Sequence, residues 1–353
     1  MDAAKKAELQ AHARAIAALL YEEADAEQVH TLAGIEETVR AQVLEHVSPE
    51  IGGFFIETSS GTTRGRPRTL GSILGKLTVT DRQAQRLEVK AYTQWSPYLE
   101  RCCLLLSANE SYDNTANDIE VLTGVAVSHS TQQRMVHRQS FDLPEIEPPV
   151  EAMSLDGGKV RLRTPQGEEC IWRDYKAVNL HNRGVEAFFR ENASLVEWVN
   201  AQPLADRVMC LGDGHDGIWN LFAEVGTPAQ RYEILDWYHL VENLGKVRGS
   251  LKRLNRAESL LWQRKVDETL ALFEPLSKKS ARDFCNYLRK HRARIVNYAY
   301  CQSEGIPIGS GAVESTVKQI GRRIKISGAQ WERKNVPQIL KHRCAYLNGQ
   351  FSQ

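Results

Sequence analysis

The run VMCLGDGHDGIWNLFAEVGTPAQRYEILDWYH, residues 208–239, leaves the chain few folds to choose from. Its first four residues, 208–211, are apolar and read as a buried strand, which Gly212-Asp213-Gly214 breaks before a helix over 218–225. A second strand, 231–235, then delivers Asp236 and His239 in a D-x-x-H arrangement at the start of a long helical region. Open α/β sheets place their polar chemistry at the C-terminal ends of adjacent strands, which is where Asp213 falls. An Asp after a strand also serves as a helix N-cap or turn former. What weighs towards a site is company: two further carboxylates, Asp156 and Glu314, occupy comparable settings.

The rest of the chain divides into segments around that run. Residues 1–57 carry apolar positions at helical spacing, Ile16, Leu19 and Leu20, then Ile35, Val39, Val43 and Val47, and read as an N-terminal helical region with a structural or oligomerising role. Residues 58–110 read as a linker and small mixed segment. Here TSSGTTRGRPR at 58–68 is a linker or basic arm, 70–80 has strand character, and helices follow from about Ala84. Within 111–140, a helix over 114–122 is broken at Thr123-Gly124 and a second starts after Ser128, a favoured N-cap. This helix-turn-helix pattern offers Ser130, Gln132, Gln133, Arg134, His137 and Arg138 to a DNA major groove, although a plain helical hairpin gives the same pattern.

The proline-rich, acidic FDLPEIEPPVE at 141–151 marks a domain boundary. Beyond it, 152–163 and 169–180 alternate as strands about a turn at 164–167, a β-hairpin with Asp156 on its first strand. An Asp inside a strand is unfavourable unless it has a partner or a metal. A helix over 184–200 leads back to the strand of Asp213, so 151–239 reads as the first part of one α/β core. Residues 240–304 are helical throughout, and 305–353 form a C-terminal helix and tail. There Ser310 can cap a helix that presents Glu314, Lys318, Arg322 and Lys325 on one face. Surface ion pairs use that spacing, and so does a metal ligand followed by phosphate clamps.

Charge separates along the chain. Residues 246–345 hold 22 lysines and arginines against 8 acidic residues, a net of +14, while the remainder carries −13. Such asymmetry fits either a polyanion-facing C-terminal half or a basic helical face docked on the acidic part. The seven cysteines form no C-x-x-C pair, which points to reduced, mostly buried thiols rather than a zinc ribbon or disulfide framework. There is no apolar run of membrane-spanning length and no signal-peptide cleavage region, so a cytoplasmic protein with no membrane partner is expected.

A hairpin Asp, a second Asp at a neighbouring strand end and a Glu on a later helix form the acid pattern of RNase H-like nucleotidyl transfer, in which carboxylates converge to bind hard Mg²⁺. Four blocks make the likeness specific. SLDGGKVRLR, CLGDGHDGIWNLF, ILDWYHLVENLGKV and IPIGSGAVESTVKQIGRRIKISGAQW resemble, in order, those of DDE transposases from bacterial insertion sequences, most closely the ISKra-type family related to Mutator-like elements. The resemblance covers roughly residues 100–350. It implies an RNase H-like core interrupted by an all-helical insertion over 240–304, with Asp156, Asp213 and Glu314 as the catalytic triad holding two Mg²⁺, for which Mn²⁺ can substitute. It also implies supporting roles for Asp236 and His239, hydrolytic nicking at the element's terminal inverted repeats, and attack of the freed 3′-hydroxyl on target DNA by a homodimer or higher synaptic assembly at the bacterial nucleoid. Many relatives carry a cysteine-rich segment before the core, absent here around 61–93, which leaves 111–140 as the better candidate for terminal-repeat recognition.

Lys318, Arg322, Arg323 and Lys325 are the expected phosphate contacts, joined by Gln132, Gln133, Arg134 and Arg138 on the helix-turn-helix. Trp262 and Trp331 are core residues or stack on an unpaired base, and His215 and Asp216 support Asp213 or are loop residues. A nuclease that cuts without joining, and a non-catalytic DNA-binding descendant, are the rival readings. The first keeps the same acids; in the second, carboxylates that repel one another without metal have no purpose.

Overall fold

The computed structural model describes residues 1–142, 146–181 and 183–351, a mixed α/β structure in two units, Met1–Met135 and Val136–Gln353. In the first unit, α1 (Ala3–Glu22) is capped by Asp2, whose carboxylate accepts the Lys5 N–H, and it buries none of its residues. α2 (Leu32–Gln42) continues through a π turn at Val43–Val47 into α3 (Ser48–Ser60). Gly61 then stops α3 in the left-handed region at φ +60°, which favours glycine. The strand character expected over 70–80 is a hairpin, β1 (Pro67–Ser72) paired antiparallel with β2 (Gly75–Thr80). α4 (Asp81–Arg86) starts in a capping box of Thr80 and Gln83, and α5 (Pro97–Ser107) follows. Leu70, Val79 and Ala84 form the core where hairpin and α4 meet. α6 (Tyr112–Thr123) ends at left-handed Gly124, and α7 (His129–Arg138) follows four residues on, within the segment expected to hold two helices.

The second unit is built on a five-stranded sheet of order β5-β4-β3-β6-β7. β3 (Val150–Leu162) and β4 (Ile171–Leu180) are the expected hairpin, with Asp156 on β3 opposite Ala177. β5 (Gly184–Phe188) adds antiparallel to β4. This corrects the reading of 184–200 as one helix: its first five residues supply hydrogen-bond partners to the edge of β4, and only α8 (Asn192–Asn200) is helical. The free edge of β5 is closed in turn by the Asn348 carboxamide, which accepts from Val185 N–H at 2.9 Å and donates to its carbonyl at 3.0 Å.

α8 carries the chain to β6 (Leu204–Gly212), parallel to β3, and α9 (Asp216–Phe222) carries it to β7 (Arg231–Leu235), parallel to β6. Five helices follow, α10 (Trp237–Gly245), α11 (Leu251–Trp262), α12 (Val266–Phe273), α13 (Lys279–Lys290) and α14 (Tyr298–Ser303). Their apolar faces, among them Leu261, Phe273, Phe284 and Leu288, join the same core as Leu211 and Ile234 of the sheet. α15 (Gly311–Ile324) then returns to pack on β3 and β4, and α16 (Val336–Leu347) packs on β5. Among the described residues no helix is long and apolar enough to cross a membrane.

Glu186 is buried within β5, with Oε1 accepting the Ala187 N–H and the carboxyl bonded to the Cys344 thiol of α16. Burial pushes its pKa up to about 7, against the opposing pull of Lys341. Because the folded value lies above the unfolded one, the neutral carboxyl's contribution is complete below about 4.5 and is lost as pH rises through about 7. Glu186→Gln is therefore expected to flatten the urea midpoint between about pH 5 and 8. Its gain over wild type at pH 8 should be on the order of 3 kcal/mol, and a pH dependence identical to wild type would show that Glu186 is not the group responsible.

Candidate metal centre

The registers of the parallel strands set the site. Ser154 of β3 lies beside Leu211 of β6, and Gly212 lies beside Leu235 of β7. Two residues past the first pair and one past the second, Asp156, Asp213 and Asp236 stand level across three adjacent strands, which are spaced at about 5 Å. Level residues of parallel strands point to the same face of the sheet. Glu314 reaches them from the first turn of α15, which is held on the sheet by Asn179, whose Nδ2 donates to Thr316 Oγ1 at 2.8 Å.

Asp156 is half-buried, and burial raises its pKa; the Gly157 N–H, donating to Oδ1 at 2.6 Å, opposes this, while the charges of Asp213 and Glu314 raise it further. Lys176, next to Gly157 in the hairpin register, is a nearby cation that partly offsets this repulsion. An Asp156 carboxylate with the charges of Asp213 and Glu314 beside it is a donor set suited to a hard divalent cation. The Asp156 carboxyl thus lies close enough to Asp213 and Glu314 to feel the charge of each.

Asp236 is different. It is fully buried, and each oxygen is committed: Oδ1 accepts the His239 backbone N–H at 2.9 Å and faces His239 Nδ1 at 3.4 Å, while Oδ2 accepts both the N–H and the hydroxyl of Ser310, the latter at 2.6 Å. Burial alone would raise its pKa, but the donors from His239 and Ser310 outweigh that and hold it down to about 2. A carboxylate with its lone pairs so occupied is a clasp rather than an open ligand. His239 answers in kind, raised to about 9 chiefly by Asp236 with help from Glu314, whose Oε1 is 3.8 Å from Nδ1. Asp236, His239 and Glu314 each offer a potential ligand atom within 4.8 Å of the others, although the oxygens of Asp236 are already engaged. The sequence pointed to the D-x-x-H pair as supporting residues; their junction with Glu314 emerges only in three dimensions.

Several expected site residues lie elsewhere. Arg323 is buried, its guanidinium 5.0 Å above the Trp331 ring, so it is not a phosphate contact; it falls on the inward stripe of α15 with Val313, Thr316 and Ile320. Gln132 is fully buried as well, its Nε2 3.4 Å from the Val127 carbonyl, and is removed from the set facing DNA; it shares its helix face with Met135 and Val136. Gln133, Arg134 and Arg138 of α7 are exposed, as are Lys318, Arg322 and Lys325 of α15. Ser310 does not cap α15 with its side chain, because its hydroxyl is turned to Asp236.

Trp262 is partly buried and packs against the core beside Trp237 and Tyr298, while Trp331 is half-buried and donates its indole N–H to the Ile324 carbonyl. His215 caps α9 through Nδ1, and Asp216 pairs with Lys290 at 2.5 Å. The seven cysteines are all free, and five are buried.

Sequence reasoning missed Tyr287. Its ring from α13 lies against the turn of Gly214, where a Cβ would come within 2.7 Å of the phenolic oxygen, and its pKa is raised by burial and by Asp213 and Asp236. The signal was the glycine: Gly214 is held at φ +77° under an aromatic ring, so no side chain fits. No protein-family model and no curated protein matches the chain.

Proposed function

We propose that the protein is a Mg²⁺-dependent transposase of the DDE type, with an RNase H-like core, that cleaves DNA at the ends of an insertion sequence and joins the 3′-hydroxyl to target DNA. The observation that carries this reading is the level placement of Asp156 and Asp213 on neighbouring parallel strands, with Glu314 close enough to raise the Asp156 pKa. The sheet supports it too, since a hairpin lies on one side of β3 and parallel crossover strands on the other. Asp156, Asp213 and Glu314 would hold the metal, which when bound supplies Lewis-acid stabilisation of the phosphodiester and lowers the pKa of a water or 3′-hydroxyl.

The remaining residues orient and hold. Asp236 fixes the start of α15 through Ser310, which sets the position of Glu314 four residues on. The same carboxylate keeps His239 cationic at neutral pH, with its Nδ1 3.8 Å from Glu314 Oε1, where it helps to orient the Glu314 side chain. Lys318, Arg322 and Lys325 continue along α15 as contacts for the DNA backbone, and the exposed residues of α7, Gln133, Arg134 and Arg138, are those offered to a second stretch of duplex in the helix-turn-helix reading. A dimer or larger assembly would bring two DNA ends together.

The deciding experiment is strand cleavage and joining on a plasmid that carries the element's ends, with Mg²⁺ or EDTA, beside Glu314→Ala. Joined products that need both metal and Glu314 support the proposal; cleavage without joining makes the protein a nuclease, and binding without either makes it a DNA-binding protein. Within the proposal, Arg322→Glu is expected to weaken DNA binding and to reduce the slope of log K against log[salt] by about 1. Arg323→Gln is expected to lower thermal stability and leave that slope unchanged. Equal slope changes from both would place Arg323 at the DNA after all.

A further inference from the structure

α1 is a helix of 20 residues that buries nothing, although helices in proteins owe most of their stability to an apolar face packed on something else. Along one of its faces run Lys6, Leu9, Ala13, Ile16 and Leu20, with Glu23 at the C-cap, spaced alternately by three and four, which is the spacing of a coiled-coil seam. Leu9 is 56% exposed and Ile16 39%. The order of residues on that seam is self-complementary under reversal: basic, large, small, large, large, acidic.

We propose that α1 pairs antiparallel with α1 of a second copy of the chain, in the register that sets Leu9 against Leu20, Ala13 against Ile16 and Lys6 against Glu23. Each contact then occurs twice about a two-fold axis, as an isologous interface requires. In this register the two small Ala13 side chains meet the two bulky Ile16 side chains, a match of small to large on each side of the axis. Lys6 closes each end against the other copy's Glu23, and Lys5 lies beside Lys6 on the same end. A parallel pair would instead bring Lys6 to Lys6 and Glu23 to Glu23, with like charges at both ends. Charge therefore selects a second copy running the other way. Self-association rests in part on the proposed function, which calls for an assembly; the antiparallel α1 interface is what is added, and its test is separate from that of DNA cleavage.

Sedimentation equilibrium of the full chain at low salt tests it. Reversible dimerisation is expected, with Lys6→Glu or Glu23→Lys alone raising the dissociation constant about tenfold, because each turns two attractions into two repulsions. Lys6→Glu combined with Glu23→Lys is expected to restore the wild-type value, and Leu20→Asp to abolish the dimer. Since α1 buries nothing, these variants should leave the fold in place, which circular dichroism verifies. A chain that stays monomeric, a dimer indifferent to Leu20→Asp, or a double reversal no better than the singles would each overturn the proposal. A monomer that uses the Leu20 face to bind vesicles or DNA would reassign the helix to that partner.

Discussion

Under the proposed function, Asp156→Asn is expected to lower Mg²⁺-dependent strand cleavage by on the order of a thousandfold or more while leaving the protein folded. The carboxylate is half-buried and already disfavoured by Asp213 and Glu314, so replacing it with a neutral amide of the same size relieves repulsion. The metal-free variant should therefore melt at or above the wild-type temperature. Added Mg²⁺ should raise the wild-type melting temperature in a concentration-dependent way and have much less effect on the variant, because a bound cation stabilises only the state that holds it. Loss of activity with loss of the metal-dependent shift identifies Asp156 as a ligand. Retained cleavage would remove it from the site.

The largest effect on stability is expected at Asp236. Asp236→Ala leaves the buried N–H and hydroxyl of Ser310 without their acceptor and takes from the half-buried His239 the nearer of its two carboxylates. Breaking a buried ionic cluster by removing one partner costs roughly 3–5 kcal/mol. Urea denaturation should show a lower midpoint at nearly unchanged slope. Ser310→Ala removes only one donor and should cost about 1 kcal/mol. If the two substitutions cost the same, the clasp is not the source of Asp236's contribution.

The elements that the sequence located best are those whose ends are punctuated. β7 was read to the residue because apolar 231–235 runs straight into Asp236, and the hairpin of Asp156 was framed by a turn that contains left-handed Gly167. β5 was hidden because five residues of edge strand run directly into a helix, and what makes them a strand is the unpaired edge of β4 rather than their own pattern. Arg323 and Gln132 were assigned outward on polarity alone. Their spacing to Val313, Thr316 and Ile320, and to Met135 and Val136, placed them inward, and a ring over the guanidinium made burial tolerable for Arg323. The three acids were legible because each interrupts a strand or opens a helix. The clasp of Asp236 on Ser310 was not, since nothing in local pattern joins residues 74 apart.

That clasp has a bearing on how the protein is made. Asp156, Asp213 and Asp236 emerge from the ribosome in the order in which their strands add to the sheet, but Ser310 and Glu314 follow only after the helices α10 to α14. Those helices share their core with the sheet, and α15, which packs on β3 and β4, follows them in the chain. A nascent chain therefore carries three aspartates long before it has the residue that restrains one and the glutamate that completes the set. Synthesis itself keeps the three aspartates apart from their last partner until α15 has been made.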